Sequence, residues 1–328
     1  MITYLNKTYL IIAVTAFIFI SCSEQSSINS IEEESKEGTV LSFTEGELPD
    51  QKNQEHTGGV EEAVYSEHLA QINQDLADRG VTEYELVMAE TITMSVDGEF
   101  QSGQTIFAND RTLRLAAQWV PGDERRNADG NKLTHMVFSP FATANGSIDA
   151  EPHIDSSFDT WNNLMSNSGP EIEKVADTGE NPSAILSIRG SAGNPFVADI
   201  VTLGFLPGPI FDAVLGPGAS NSVLGVAFTF NWTDTNEVAL KEVWYNDSFA
   251  WATDGRAGAV DIETVALHEN GHALGMGHFG KLSITNSNGK LHVSPRAVMN
   301  ASYLGPVRTP LGTDRASYNS IYGKWPKN

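Results

Sequence analysis

The order of the predicted elements indicates an α+β fold, because runs typical of strands precede runs typical of helices. Strand-like runs rich in apolar and β-branched residues occupy residues 133–138, 185–189, 198–206 and 223–230. A helical stretch near residues 156–165 and a helix that begins at Asp261 complete the pattern, with glycine and proline in the loops. No repeat of about 20 to 50 residues is visible, which argues against a solenoid or a propeller.

The composition is that of a globular protein, and it excludes several classes of function. The chain has 328 residues, of which 40% are apolar and 9% aromatic, enough for one large domain or two ordinary ones. Its 20 basic and 42 acidic residues give a formal charge of −22, which repels a phosphate backbone, so we expect no nucleic-acid partner. The single cysteine excludes an intramolecular disulfide and a zinc site built from cysteines. Any metal site must therefore use histidine, aspartate and glutamate.

Residues 1–22 are typical of a signal peptide. Lys7 precedes a twelve-residue apolar run that is too short for a comfortable transmembrane helix. Cys22 follows this run after the small residue Ser21 and resembles the lipobox cysteine of bacterial lipoproteins, which is acylated and becomes the mature N-terminus. We therefore expect a lipid anchor on Cys22 and a place outside the cytoplasm, at the bacterial cell envelope or surface. An ordinary signal peptide with an incidental cysteine, and hence a secreted protein, is the alternative.

Residues 23–58 predict a disordered acidic tether. They hold nine acidic and two basic residues and few large apolar ones, so they cannot bury enough surface to offset the entropy of ordering. Such a spacer would hold a folded domain away from a membrane, although an inert linker explains the same composition.

Residues 60–110 are a predicted N-terminal extension, which we treat as a candidate pro-segment. Apolar residues recur at spacings of three and four over residues 60–79 and predict an amphipathic helix. Residues 81–107 are rich in β-branched residues around the Asp97-Gly98 pair, and they predict strands joined in a hairpin.

The functional prediction depends on the segment from His268 to His278. His268, Glu269, His272, Gly275 and His278 spell H-E-x-x-H-x-x-G-x-x-H. On a helix, His268 and His272 project from one face and can share a metal ion. Glu269 lies about 100° around the helix, where it can take a proton from bound water. Gly275 can adopt a positive φ and end the helix, so that His278 approaches as the third ligand and a fourth position stays open, as in catalytic zinc sites.

This extended motif resembles that of the metzincin zinc metalloproteases, whose second signature is a methionine turn beneath the metal. Met299 matches that turn. Among metzincins the sequence most resembles the matrixins, because Tyr303 stands four residues after Met299, where matrixins have a wall of the S1′ pocket. The resemblance implies a metzincin-like catalytic domain over residues 111–328, with a mixed, twisted β-sheet, an active-site helix and a C-terminal helix over residues 311–323.

The same resemblance implies where a substrate lies. Leu224, Gly225, Val226 and Ala227 match the edge strand above the matrixin cleft, so we expect an extended substrate to pair with their main chain.

The sequence departs from the matrixins at positions where those proteins bind a structural zinc ion and calcium. Gly225 and Trp244 stand where matrixins carry histidines for a structural zinc, so we expect one zinc ion, the catalytic one. The residues around Trp244 do not support a matrixin-type calcium ion, although Asp234 and Asp247 leave calcium open. Matrixin pro-segments act through a cysteine, and since Cys22 is the only one here, inhibition by residues 60–110 would not use a thiol.

We therefore predict a monomeric zinc endopeptidase that hydrolyses extracellular proteins or peptides through a zinc-bound water activated by Glu269. Two alternatives remain. One is a surface-anchored binding protein that keeps a metzincin scaffold without turnover, and the other is a zinc amidase that acts on a non-protein substrate.

Overall fold

The computed structural model of the protein describes residues 61–94, 105–109, 114–126, 131–164, 169–188, 190, 193–235, 237–287 and 290–326. The predicted signal peptide, Cys22 and the acidic tether lie outside the described residues, as does the predicted turn at Asp97-Gly98. None of the described helices combines the length and the apolar character that crossing a membrane requires.

Helices and strands are both abundant in the described residues. The helices are α1 (Glu61–Asp78), α2 (Glu151–Leu164), α3 (Ala184–Ser187), α4 (Gly208–Leu215), α5 (Ala219–Ser222), α6 (Ile262–Ala273) and α7 (Gly312–Tyr322). The strands are β1 (Tyr84–Met94), β2 (Thr105–Asn109), β3 (Leu133–Val137), β4 (Thr143–Ala144), β5 (Ile148–Asp149), β6 (Ile172–Lys174), β7 (Ile200–Leu206), β8 (Val223–Trp232), β9 (Val238–Asn246), β10 (Trp251–Ala252), β11 (Val260–Asp261), β12 (Gly280–Ile284), β13 (Leu291–Ser294) and β14 (Ser302–Tyr303). This mixture agrees with the α+β class.

A seven-stranded mixed sheet with the order β14-β1-β8-β9-β7-β3-β6 forms the centre of the fold. Strand β8 runs antiparallel to both of its neighbours, β1 and β9, whereas the remaining neighbours pair in parallel. Strand β1 comes from the segment predicted as an N-terminal extension, and it lies inside this sheet.

The sheet has a hydrophobic core on each face. Consecutive residues of β9 alternate between the two cores, as strand geometry requires. Val243 and Tyr245 join the core that contains residues of α2, α6 and α7. Trp244 joins the core that contains residues of α1 and α4. Helix α6 is thereby held between the sheet and α2, with nearly all of its side chains buried.

Polar partners on neighbouring elements satisfy the ends of the buried helix α6. At its N-terminus the Asp261 side chain caps the helix by accepting the N–H of Thr264 at 3.0 Å. At its C-terminus the indole of Trp119 donates to the carbonyl of Ala273 at 2.8 Å, and the Tyr322 hydroxyl donates to that of Leu274 at 2.7 Å. These carbonyls lack partners within the helix, so the contacts fix where α6 ends.

Most predicted elements are present, but two predictions are wrong. Residues 185–189 were expected as a strand, yet α3 begins at Ala184, because the Ser183 hydroxyl accepts the N–H of Leu186 and the buried Glu242 carboxylate accepts that of Ala184. The predicted hairpin does not form either. Strand β1 pairs with β8 and β14, whereas β2 pairs with β12 in a separate three-stranded sheet.

The Tyr322→Phe variant tests the hydrogen bond that ends α6. The Leu274 carbonyl would lose its partner in a buried place, so we expect the free energy of unfolding to fall by about 1 to 3 kcal/mol. Chemical denaturation of the metal-loaded protein measures this. Tyr318→Phe, on the same helix, removes a hydroxyl that makes no described hydrogen bond to α6 and serves as the control; equal losses in both variants would contradict the assignment.

Candidate metal centre

Three histidines meet at the C-terminal half of α6 and in the turn that follows it. His268 and His272 lie one helical turn apart, and Gly275, with φ of 80°, reverses the chain so that His278 returns to them. The Nε2 atom of His272 lies 2.9 Å from Nε2 of His268 and 3.2 Å from Nε2 of His278. All three rings are buried. The structure thus brings together the three ligands that the motif predicts.

Backbone carbonyls set the tautomers of two of these rings. The Nδ1 atom of His268 lies 2.7 Å from the Val298 oxygen, and Nδ1 of His272 lies 2.8 Å from the Met276 oxygen. A carbonyl oxygen only accepts hydrogen bonds, so each ring carries its proton on Nδ1. The Nε2 lone pairs therefore point into the space between the three rings, which is the arrangement of metal-ligating histidines.

The surroundings keep the three rings neutral. Burial lowers the pKa of His268 to about 4. Burial also holds the pKa values of His272 and His278 well below the usual range, and the neighbouring rings lower them further. Neutral imidazoles whose lone pairs converge in a dry site repel one another unless a cation lies between them.

The donor set fits a metal ion. Tetrahedral coordination with bonds of about 2.0 to 2.1 Å places ligand nitrogens about 3.4 Å apart, close to the separations given above. The three histidines are buried and their ligand atoms lie within 4.8 Å of one another, so they can hold a metal ion.

Glu269 directly follows His268 on α6, and its side chain is buried. Its Oε1 atom accepts the backbone N–H of Ile92, in β1, at 3.1 Å. Strand β8 approaches Glu269 closely at Gly225, where a Cβ atom would lie 2.9 Å from Cγ and Oε1 of the glutamate. The resemblance assigns Gly225 to the strand expected to bind substrate. Because glycine has no side chain, Gly225 also leaves room for the Glu269 carboxylate.

The predicted methionine turn lies against the metal-ligating helix. A side chain at Gly271 would overlap the Met299 sulfur, so the two residues are in close contact. The Met299 oxygen accepts the N–H of Phe279 at 2.7 Å, next to His278. The turn thus touches α6 on one side and the segment of the third ligand on the other.

Asp314 of α7 holds this turn in place. Its buried carboxylate accepts the N–H groups of Val298 at 3.0 Å, Met299 at 3.1 Å and Leu311 at 2.7 Å. Because the Val298 carbonyl in turn fixes the His268 ring, Asp314 positions a predicted ligand from two steps away. Sequence analysis did not assign this role, since nothing in the spacing connects α7 to the histidines.

Tyr303 lines a cavity that also borders Val298, whose carbonyl holds the His268 ring. The cavity has a volume of about 450 Å³, and its lining includes Ile92, Arg296, Val298, Tyr303 and Val307. The Tyr303 hydroxyl accepts the N–H of Asp261 at 3.0 Å. This bond connects the cavity wall to the start of α6.

The sequence predicts Leu224, Gly225, Val226 and Ala227 on an edge strand, and this is wrong. Strand β8, which contains them, has neighbours on both sides. The register pairs Gly225 with Ile92, Val226 with Thr91 and Ala227 with Glu90. The physical reason is that the N–H and C=O groups of an edge strand remain available for pairing, and a strand from the same chain has taken them.

Two charged residues near the histidines were not predicted. Lys241 is fully buried in β9 and donates to Thr229 Oγ1 at 2.5 Å and to the His272 oxygen at 3.4 Å. Burial lowers its pKa to about 7, against the effect of the Glu90 charge. Glu90 lies in β1, with Oε2 3.9 Å from Nδ1 of His278. Single charged residues within strand-like runs form no motif, so spacing alone could not identify them.

The two aspartates that the sequence left open for calcium have protein partners. Asp234 pairs with Arg125 at 2.9 Å, and Asp247 accepts the N–H of Asn145 at 2.7 Å. Trp244 is a core residue whose indole donates to Glu242 at 2.6 Å.

Comparison with known proteins does not extend these observations. No protein-family model matches the chain, and no curated protein matches it significantly. The function must therefore be argued from the site.

We expect the His272→Ala variant to lose its metal. Removing one of three converging ligands leaves two donors, which is too few for tight binding of a divalent ion. Elemental analysis after dialysis should find about one divalent metal ion per wild-type chain and almost none in the variant. His153→Ala, which changes a histidine outside the cluster, is the control. Equal metal content in wild type and His272→Ala would contradict the site.

The Asp314→Ala variant should weaken metal binding without touching a ligand. Three buried N–H groups lose their acceptor, so the free energy of unfolding should fall by at least about 3 kcal/mol. The metal dissociation constant, measured by competition with a chelator, should rise about 10- to 100-fold. Asp254→Ala removes an exposed carboxylate and is the control; an unchanged dissociation constant in Asp314→Ala would show that the turn does not set the His268 ring.

Proposed function

We propose that this protein is a zinc-dependent endopeptidase that resembles the metzincins and, among them, the matrixins. The observation that carries the proposal is the position of Glu269. It directly follows the predicted ligand His268 on α6, and its carboxylate accepts the N–H of a peptide bond at 3.1 Å. A base that is next in the chain to a metal-binding group and is hydrogen-bonded to a peptide bond supplies the parts that peptide hydrolysis needs.

Zinc is the metal that suits this site best. Three neutral imidazoles without a carboxylate or thiolate ligand match the ligand set of catalytic zinc sites, which keep a fourth position for water or substrate. When bound, zinc polarises the carbonyl of the scissile bond and lowers the pKa of a water molecule towards about 7.

The shape of the site favours an extended polypeptide as the substrate. The space between β8 and β14 holds a chain in strand conformation, paired antiparallel on one side and parallel on the other. A strand is recognised there by main-chain hydrogen bonds, which favours a protein or peptide over a small amide or a glycan. The cavity at Tyr303 would take the side chain that follows the scissile bond and contribute to specificity.

Glu269 has two roles in the proposed reaction. It first accepts a proton from the attacking water, a role that its place directly after the predicted ligand His268 on α6 supports. It then passes that proton to the nitrogen of the leaving amine. The hydrogen bond from a peptide N–H to Oε1 supports the second role, since it places the carboxylate beside the nitrogen that must be protonated.

We also propose that the enzyme is a monomer held outside the bacterial cytoplasm by a lipid on Cys22, with extracellular proteins as substrates. The layout of residues 1–58 supports this location: a short apolar run, a small residue, a cysteine and then a polar acidic spacer.

The Glu269→Gln variant tests the mechanism in protein that starts at residue 23. The amide keeps the size of the side chain but cannot accept the proton, so cleavage of a denatured protein should fall by at least about 100-fold while the zinc content stays near one per chain. Glu173→Gln, at a half-buried position in β6, is the matched control.

Two other results would favour the alternatives. Zinc without cleavage of any substrate by the wild type would support a binding protein on this scaffold. Cleavage of small amides or glycan amides, with proteins left intact, would support a zinc amidase.

A further inference from the structure

The cavity that Tyr303 lines is apolar in its buried part. Ile92, Val298 and Tyr303 line it, and each of them is at most 9% exposed. The volume of about 450 Å³ falls within the range of small-molecule sites. The cavity can therefore take a side chain or a small ligand even while β1 lies in the groove.

The exposed side of the same cavity carries a positive charge. Arg296 and His292 are exposed and line it together with Leu304. None of the described residues in the lining is an aspartate or a glutamate. Since the whole chain has a formal charge of −22, a lining with a guanidinium and without a carboxylate reverses the sign of the charge locally.

The guanidinium of Arg296 is held in place and still has donors to offer. Its Nη2 atom donates to the carbonyls of Leu304, Gly305 and Pro306, each at 3.2 Å. Its Nε and Nη1 atoms make no hydrogen bond to a described residue, and no described carboxylate forms an ion pair with the group. Carboxylates are strong acceptors for the N–H groups of arginine, so these atoms suit an anionic ligand.

A second arginine near Tyr303 differs from Arg296 in this respect. Burial raises the pKa of Tyr303, and the positive charges of Arg308 and Arg296 act in the opposite direction, so both charges reach the cavity wall. Arg308 is paired with the carboxylates of Asp261 and Glu263. Of these two arginines, only Arg296 lines the cavity and has no such partner in the described part of the chain.

We infer that this cavity selects a carboxylate, so that the preferred substrate has a glutamate or an aspartate directly after the scissile bond. The inference rests on the proposed function. The stem of the acidic side chain would lie against Val298 and Tyr303, and its carboxylate would accept N–H groups of Arg296. Because the three carbonyls already hold the guanidinium, little freedom is lost when the ligand binds. A free C-terminal carboxylate has the same chemistry, and the experiment separates the two sources.

Binding to the cavity is tested first, without any cleavage. Zinc-loaded protein that begins at residue 23 is titrated with phenylacetate and with phenylacetamide, which has nearly the same shape and no charge, and ligand signals are followed by NMR. Phenylacetate should bind at least about fivefold more tightly. Arg296→Gln should remove this difference. Arg79→Gln, which removes one positive charge at an exposed position after α1, is the control and should keep it.

Cleavage then identifies the source of the carboxylate. Peptides blocked at both ends differ only in the residue after the scissile bond, which is glutamate, glutamine or leucine. The kcat/KM for glutamate should exceed that for glutamine by at least about fivefold. The preference should disappear in Arg296→Gln and return in part in Arg296→Lys, which keeps the charge. The glutamine peptide with a free C-terminal carboxylate should be cut no faster than its blocked form.

The outcomes separate this inference from the proposed function. Equal binding of the two probes, a comparison that needs no variant, overturns the inference and leaves the endopeptidase standing. Phenylacetate binding that survives Arg296→Gln does the same, because the carboxylate then lies elsewhere, as at the zinc ion. Cleavage without a gain for glutamate, or a gain that depends on the free C-terminus, also overturns it. If phenylacetate binds through Arg296 but no peptide is cut, the proposed function fails, and the assignment to a substrate fails with it.

Discussion

The convergence of three neutral imidazoles in a buried site is the constraint on which the rest of the structure depends. Each Nε2 lone pair must point inwards, so the N–H of His268 and of His272 must face a carbonyl at Nδ1. The Val298 and Met276 carbonyls fill that role. Both belong to segments outside α6, so the turn at Gly275 and the methionine turn have to be placed accurately. Asp314 then fixes the methionine turn through three backbone N–H groups.

Burying the ligand helix imposes further requirements on the elements around it. Helix α6 lies between the sheet and α2, where an unpaired carbonyl costs about 1 to 3 kcal/mol. The side chains of Trp119 and Tyr322 reach its last carbonyls. Tyr322 belongs to α7, the same helix that carries Asp314. The C-terminal helix therefore closes the end of α6 and supports the methionine turn at once, which accounts for its place beside the site.

The sequence predicts the chemistry of the site better than its surroundings because the chemistry is local. His268, Glu269 and His272 are placed by helix geometry alone, and Gly275 by its positive φ. Longer-range effects decided the elements that sequence analysis missed. Residues 184–187 became helical because Glu242, in a distant strand, accepts an N–H at their start. The partners of β1 lie at least 130 residues further along the chain, where short-range spacing carries no information.

The pairing of β1 with β8 has a consequence for access to the site. An edge strand beside a polypeptide-binding groove attracts any extended chain, and a strand of the same protein has an advantage because its effective concentration is of the order of millimolar or higher. An external substrate must displace this strand, and the contacts of Asn73 with Leu86 oppose displacement of its first half. The second half of β1 pairs with the two-residue strand β14 and has fewer partners. Under the proposed function, displacement would therefore begin at β14, and the part of the groove next to Tyr303 would become free first.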